Sequence, residues 1–380
     1  MLRLFATVAN GLEDVAASEI ERITGRSVAI GVGKVFFCGD EETIFKVNML
    51  SRTVNRVMIL LHHDRLDDIS LDKIYSAAKL LNYRGIIDPN QSFAVRARRV
   101  GTHNFTSVDV ASQVGQAIID SYLKERGYRL RVNLDNPDIE FIAIVRNDEF
   151  ILGLNTTGES LHKRHYRVYN HPAALNTTIA SAMIMISGWR PDESMLDPMC
   201  GGGTIPIEAA LTARTVPPGY FRMKDFAFLK FRFINLKAFD EVVSRTISAM
   251  NHEYSPIYGM DENGRYLEGA IMNAESAGVR DTISFMLGDA TRLKDHLDFS
   301  PRYVVTNPPY GIRMRKGRME PFYRGFLESL KEVAEGSTLT LITALRKKFL
   351  RAAEAAEISI VEKREVLHGE IRTTIFKCII

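Results

Sequence analysis

The sequence predicts an α/β protein whose carboxyl half is a doubly wound, mostly parallel sheet. Three observations predict it. Beyond about residue 175, short apolar strands alternate with helical patterns. A glycine-rich turn, "LDPMCGGGT" at 196–204, hands the first of those strands to a helix. The next three strands end in order on Asp261, Asp289 and Asn307.

The amino half reads as mixed α/β. "LRLFATVA" is a strand, "GLEDVAASEIERITG" a helix with a glycine stop, and "SVAIGVGKVFFCGD" a hairpin. "ETIFKVNMLSRTVNRVMILL" is a helix running into a strand. From Asp64 the pattern starts afresh, with the helix "LDKIYSAAKLLNY" and the strand "SFAVRARRV". A helix from Ser107, its expected cap, to Gly127 follows, then the strands "IEFIAIVRN" and "EFILGLNTTG". These breaks give domains at 1–63 and 64–160, a polar, aromatic linker at 161–174, and a third domain at 175–380.

Within the third domain, "SMLDPM", "IYGMDEN", "ISFMLGDA", "YVVTN" and "STLTLITA" are the strands between helices. The closing strands "ISIVEKREVL" and "TTIFKCII" predict an antiparallel edge on a seven-stranded sheet. An aromatic, basic insertion at 215–256 interrupts the alternation between the first helix and the second strand.

Bulk properties exclude several classes. With 46% hydrophobic and 25% charged residues in 380, the chain is globular and long enough for more than one core. No apolar run reaches membrane-spanning length and the start turns polar too soon for a signal peptide, so a cytoplasmic protein is expected. Cys38, Cys200 and Cys378 are odd in number and far apart, which fits reduced thiols. No histidine has metal-ligand spacing, so no metal is expected. A net charge of +3 leaves any nucleic-acid surface to local clustering.

Gly201, Gly202 and Gly203 let the backbone approach a ligand, and the helix behind them presents free N–H groups. No Lys-Ser/Thr pair follows, so this is not a Walker loop. Asp261, at the tip of the second strand, is placed to accept from both hydroxyls of a ribose. Asp289, at the third, is placed to accept from an adenine amino group. An adenosine ligand without a required pyrophosphate fits S-adenosyl-L-methionine better than NAD or ATP. The cofactor-contacting set is Asp197, Cys200, Gly201, Gly202, Gly203, Thr204, Asp261, Glu262, Asp289, Ala290 and Asn307.

The fourth strand ends in "NPPYG". Proline fixes φ, lacks an N–H and forces its predecessor to extend, so Asn307-Pro308-Pro309 is stiff. The Asn307 amide oxygen and the Pro308 carbonyl can converge on an exocyclic amine, and Tyr310 offers a ring for stacking. Holding both amine hydrogens favours a tetrahedral nitrogen, an interaction strongest in the transition state. Asn307, Pro308, Pro309 and Tyr310 are the catalytic candidates.

"DPMCGGGTIPIEAA" with "NPPYG" resembles the Rossmann-type methyltransferases that act on exocyclic amines of nucleic acids. "SFAVRARRVGTHNFTSVDVASQVGQAI", "VNLDNPDIEF" and "LGLNTTGESLHKRHYRVYNHPAAL" narrow the resemblance to THUMP-containing tRNA guanine-N2 methyltransferases, closest to the archaeal type that modifies guanosine at position six of the acceptor stem. It implies a ferredoxin-like first domain, a THUMP second domain that grips the tRNA 3′ end, and a catalytic third domain in a monomer. The 215–256 insertion resembles the related bacterial enzymes that modify 23S rRNA, which keeps an rRNA substrate open.

Basic residues near aromatics suit a single-stranded RNA end. Arg96, Arg98, Arg99, His103 and Phe105 form one such group, Lys163 and Arg164 a second, and Arg313, Arg315 and Lys316 a third beside the catalytic motif. The NPPY geometry alone accepts an adenine amine equally well. A non-catalytic RNA-binding factor is the reading from another class.

Overall fold

The computed structural model of the protein describes residues 1–310 and 319–380. Its amino half is built on strands β1 (Leu2–Val8), β2 (Ala29–Gly31), β3 (Lys34–Gly39), β4 (Val54–Arg65), β5 (Ser92–Val100), β6 (Arg131–Val132), β7 (Ile139–Arg146) and β8 (Glu149–Asn155). They form one eight-stranded sheet in the order β2-β3-β1-β4-β8-β7-β5-β6. The boundary expected at 63/64 runs through β4. This strand pairs antiparallel with β1, Leu4 opposite Ile59, and also with β8, Met58 opposite Asn155 through Arg65 opposite Glu149. The first two modules therefore share backbone hydrogen bonds rather than a hinge.

Helices α1 (Glu13–Thr24), α2 (Glu41–Leu50), α3 (Leu71–Lys79) and α4 (Ser107–Arg126) belong to this half. Local chemistry sets their ends. Asp40 and Thr43 make a reciprocal capping box on α2, and Thr106 and Asp109 make one on α4. The α4 cap is therefore Thr106, one residue before the expected Ser107. Gly127 ends that helix at φ 78°, where other residues would be strained. Alternation in β7 buries Ile139, Phe141, Ala143 and Val145 on one face.

The carboxyl half carries β9 (Met195–Asp197), β10 (Ile257–Asp261), β11 (Ile283–Leu287), β12 (Tyr303–Thr306), β13 (Thr338–Thr343), β14 (Ser359–His368) and β15 (Ile371–Ile379). Their order is β11-β10-β9-β12-β13-β15-β14. The antiparallel strand β15 lies one position in from the edge, between β13 and β14. Helices α5 (Thr177–Ser187), α6 (Thr204–Ala213), α7 (Leu236–Ser248), α8 (Gly264–Ser276), α9 (Met319–Ala334) and α10 (Arg346–Ala355) complete it. Successive strands are added on opposite sides of β9, which pairs in parallel with β10 on one side and β12 on the other. In such sheets the ligand crevice lies outside the carboxyl ends of the strands at that switch point.

The 215–256 insertion fastens the two halves together. Phe228 and Phe239 pack on Phe45 of α2 at ring distances of 4.9 and 5.5 Å. Each such buried ring is worth about 3–5 kcal/mol against alanine. Arg222, buried, donates to the backbone oxygens of Glu159 (2.7 Å) and Ser160 (3.0 Å). Burial lowers its pKa to about 10, so these two carbonyls hold a charge that remains present at neutral pH. Gly219 lies so close to α2 that an added Cβ would meet the Met49 Cα at 2.7 Å. The helix α7 was not expected from the sequence; its amphipathic face points at the amino half, burying Phe239, Val242 and Thr246.

Candidate active site

β9 delivers Asp197 and the glycine turn to the crevice. Gly201 and Gly203 have φ of +53° and +79°, and an added Cβ at Gly203 would meet Ala270 of α8 at 3.0 Å. The turn is braced from the second strand. Asp261 Oδ2 accepts from Gly201 N–H at 2.9 Å, and Oδ1 accepts from Asn263 N–H at 2.9 Å. Both oxygens of this buried carboxylate therefore hold backbone, and the exposed acid at this strand tip is Glu262. Asp261, expected at a ribose, also braces the glycine turn, and each of its oxygens keeps a second lone pair.

Asp197 is buried beside the fourth strand. Its Oδ1 accepts from Thr306 Oγ1 at 2.7 Å and from Met199 N–H at 3.2 Å. Desolvation raises its pKa to about 7 against the lowering effect of those bonds, and the Asp261 charge adds to the rise. Cys200 donates its N–H to Met260 O at 2.8 Å, and burial pushes its thiol well above the ordinary range, so it is an inert packing group. Thr204 Oγ1 accepts from Arg167 at 2.8 Å. Asp289 caps the next turn, its Oδ1 accepting from Thr291 N–H and Oγ1 at 2.8 Å each, with Ala290 buried behind it.

Thr306 leads directly into Asn307. The Asn307 Oδ1 atom is buried and has no hydrogen-bond partner among the described residues. The Tyr310 hydroxyl is buried in the same unpartnered way, and burial raises its pKa. Pro308 is buried and Pro309 exposed. An orphaned buried acceptor costs about 1–3 kcal/mol unless a ligand satisfies it.

Several residues that build this site gave no motif. Asn273 of α8 donates to Gly202 O (2.9 Å) and Tyr169 O (3.1 Å) and accepts from the N–H groups of Val168 and Tyr169. It ties the expected linker to the glycine turn. The Tyr169 ring packs so tightly on α8 that a Cβ at Gly269 would meet it at 2.2 Å, and His171 covers Gly201 and Gly202. Residues 161–174 are thus a strap over the crevice rather than a spacer.

Arg164, expected on an RNA surface, is instead wholly buried in that strap. It pairs with Glu208 of α6 at 3.2 Å and donates to Leu161 O and Arg52 O at 2.8 Å each. Glu208 also accepts from Tyr166 and Ser181. Burial pushes the Glu208 carboxyl up, but the Arg164 and Arg52 guanidiniums outweigh it and hold its pKa below the usual value. The sequence signal was a single acid in the otherwise apolar "TIPIEAALTA", which demands a buried partner.

The other expected RNA contacts are scattered in status. Phe105 is buried and its ring stacks on His103 at 4.9 Å, so it offers no face to a base. Arg96 pairs with Glu140 at 3.3 Å, and Arg99 donates to Gly101 O at 2.7 Å and faces His103. Arg98 is exposed on the same strand, and Lys163 is exposed with Glu159 at 2.5 Å. Arg313, Arg315 and Lys316 lie outside the described residues. No cluster of potential metal ligands occurs among the described residues, and none of their helices is long and apolar enough to cross a membrane.

The switch-point crevice, the glycine turn and the acid-tipped strands define a methyltransferase. Residues 164–374 match the family described as RMKL-like, methyltransferase domain; residues 69–155 match the THUMP domain and residues 3–58 the RlmL ferredoxin-like domain. A tRNA (guanine(6)-N2)-methyltransferase of Methanocaldococcus jannaschii is 42% identical over 98% of this chain and 98% of its own. The enzyme of the same name from Archaeoglobus fulgidus is 42% identical over 99% of this chain and 91% of its own. A solved structure titled a possible methylase from Clostridium difficile 630 superposes with a TM-score of 0.88 at 27% identity, over 99% of this chain and 97% of that one. The chain belongs to this family of THUMP-carrying, RMKL-like methyltransferases.

Proposed function

We propose that the protein transfers a methyl group from S-adenosyl-L-methionine to the exocyclic N2 of a guanosine in tRNA, at position six of the acceptor stem. The buried Oδ1 of Asn307, without a partner among the described residues, carries the chemical part of this reading. The substrate rests on the THUMP match and the full-length likeness to the two archaeal enzymes.

The residues present fit the donor. Gly201 and Gly203 turn the backbone at positive φ with no side chain in the way, and the α6 N-terminus behind them presents N–H groups without intrahelical acceptors. Glu262 is the exposed acceptor for ribose hydroxyls, and Asp289 with Ala290 lines the place for adenine. S-adenosyl-L-methionine, when bound, supplies an electrophilic methyl carbon on a sulfonium that departs as a neutral thioether.

The chain's own part is to hold the nucleophile. A guanine N2 lone pair is delocalised into the ring and attacks poorly. Asn307 Oδ1 and the Pro308 carbonyl accept its two hydrogens, which pulls nitrogen toward a tetrahedral shape and strengthens as positive charge develops on it. No strong base is needed, since the methylated nitrogen becomes acidic and releases its proton to water. The fixed φ of two prolines keeps the acceptors in place without reorganisation. A paired guanine must leave its stack to reach this crevice, and Tyr310 is the ring beside it. The THUMP domain holds the 3′ end, with Arg96 and Arg98 its exposed cations among the described members of the expected set and Lys163 exposed on the strap, and the protein acts as a monomer in the cytoplasm.

The test is nucleoside mass spectrometry of tRNA incubated with the protein and methyl donor. N2-methylguanosine should form with wild type. Asn307→Ala should keep donor affinity by calorimetry and lose turnover by about a hundredfold or more, the scale of a lost oxyanion donor. Near-normal turnover in that variant refutes the role of Asn307. Unmodified tRNA with wild type refutes the substrate.

A further inference from the structure

We propose that Arg167, on the strap over the glycine turn, is the cation that receives the carboxylate at the amino-acid end of the methyl donor. It thereby selects the intact donor over adenosine compounds that lack this group. The inference rests on the donor read above and assigns one end of it.

The donor site is short of positive charge. Its expected contacts include Asp197, Asp261, Glu262 and Asp289, which suit hydroxyls, an amine or an ammonium rather than a carboxylate. Among the described residues, Arg167 is the one guanidinium or ammonium hydrogen-bonded to a member of the expected donor-contacting set. Its Nη2 donates to Thr204 Oγ1 at 2.8 Å and to Leu175 O at 2.7 Å. Thr204 is the first residue of α6, directly after Gly203, so the guanidinium sits at the end of the glycine turn. Its chain neighbours hold it there. Tyr166 donates to buried Glu208 at 3.0 Å, and Val168 N–H donates to Asn273, which in turn donates to Gly202 O.

No acid of the fold answers this charge. Arg167 is half-buried, yet it makes no ion pair among the described residues, and its Nε–H and Nη1–H groups have no partner there. Glu208, the acid packed under the strap, is already shared by Arg164, Tyr166 and Ser181. His162 and His368 feel the Arg167 charge. Both are pushed down, by burial first and then by cations that include Arg167, so neither adds charge nor offsets it. Arg164, three residues earlier, shows the contrast. It uses every guanidinium nitrogen on partners within the fold, whereas Arg167 uses one. A partly desolvated cation is costly without a counter-charge. The donor has no phosphate, and its α-carboxylate is its one anionic group. Anchored through a single nitrogen, Arg167 keeps the rest of its fork for that group.

Calorimetry with S-adenosylhomocysteine and with its decarboxylated form, which differ only in the carboxylate, tests the assignment without turnover. Wild type should bind S-adenosylhomocysteine about ten- to a hundredfold more tightly, the scale of a hydrogen bond to a charged group. Arg167→Gln should bring the two ligands close to equal by weakening S-adenosylhomocysteine alone. Arg167→Lys, which keeps the charge without the fork, should retain part of the preference. Wild type indifferent to the carboxylate overturns the assignment, and this comparison needs no variant to fold. A preference that survives Arg167→Gln overturns it too. Equal weakening of both ligands does the same, because it would make Arg167 a brace of the strap and no more. Wild type that binds neither ligand refutes the donor reading itself, which keeps the two failures apart.

Discussion

Arg164→Met should be among the most damaging substitutions outside the crevice. Both side chains of the Arg164–Glu208 pair are 0% exposed, so the screening that makes surface pairs weak is absent. Removing the guanidinium strips two contacts from Glu208, at 3.2 and 3.3 Å, and leaves its charge with Tyr166, Ser181 and the more distant Arg52. Breaking such a pair from one side costs about 3–5 kcal/mol. Unfolding entropy near 2.1 cal/mol/K per residue gives about 0.8 kcal/mol per kelvin for 380 residues, hence a drop of about 4–6 °C if the chain melts as one unit. If residues 175–380 melt alone, the same loss gives about 7–12 °C. Differential scanning calorimetry therefore reads both the strength of the pair and the size of the cooperative unit. Adding Glu208→Gln should recover part of the loss, because a neutral amide is cheaper to bury unpaired than a carboxylate. A drop below about 1 kcal/mol for Arg164→Met, the range of an exposed pair, refutes the assignment of this ion pair to the strap.

Three further perturbations probe the other links. Gly269→Ala drives a Cβ to within 2.2 Å of the Tyr169 ring, so the strap must lift from the glycine turn; overpacking of about 1–3 kcal/mol and weaker donor binding by calorimetry are expected, and unchanged affinity would detach the strap from the cofactor site. Asp197 has a folded pKa of about 7 against an ordinary 3.8. Between those values the unfolded chain has lost this proton while the donor-free fold keeps it, so stability from this group falls as pH rises from about 4 to 7 and levels off above. Asp197→Asn should remove that fall, read as the difference between the two proteins in denaturant titrations across pH; parallel profiles refute it. Phe239→Ala should cost about 3–5 kcal/mol and split one thermal transition into two, as the insertion loses its grip on α2; a single transition shifted by less than the measurement error would contradict the fastening role.

The parts legible in the sequence were those where backbone chemistry leaves a local signature. Glycines at positive φ, prolines that stop a strand, and acids at strand tips each announce themselves within a few residues, so the mostly parallel sheet and the gathering of site residues at its carboxyl edge followed. What local pattern does not encode is which way a polar side chain faces. Asp261 and Glu262 are adjacent and both expected at the ligand, yet one is buried bracing the loop and the other is exposed. Arg164 sits in a run of charges that looks solvated, and only the isolated Glu208, 44 residues away, hints at its burial. Phe105 read as a stacking platform because an aromatic among arginines resembles an RNA surface, yet the ring is buried on His103. The shared strand β4 was equally hidden, because a long strand serving two modules has the same alternation as two short ones.

The strap and the insertion together explain how an amino half that holds RNA can set the position of a crevice in another domain. Residues 161–174 leave the first sheet, pass the buried Arg164–Glu208 pair, and lie on the glycine turn through Asn273. The insertion returns from α6 to clamp the same chain segment by Arg222, whose partners Glu159 and Ser160 immediately precede the strap. Arg52, beside Glu19 in the first module, donates to Leu211 O and Val216 O on either side of the end of α6. Three of these connections, through Arg164, Arg222 and Arg52, set a buried cation on backbone oxygens, an arrangement that is costly to desolvate and therefore sensitive to geometry. An apolar interface of the same area would tolerate sliding; these contacts do not. A methyltransferase whose RNA-binding and catalytic domains are separate needs a fixed distance between them, and directional buried charges supply it where hydrophobic burial alone would not.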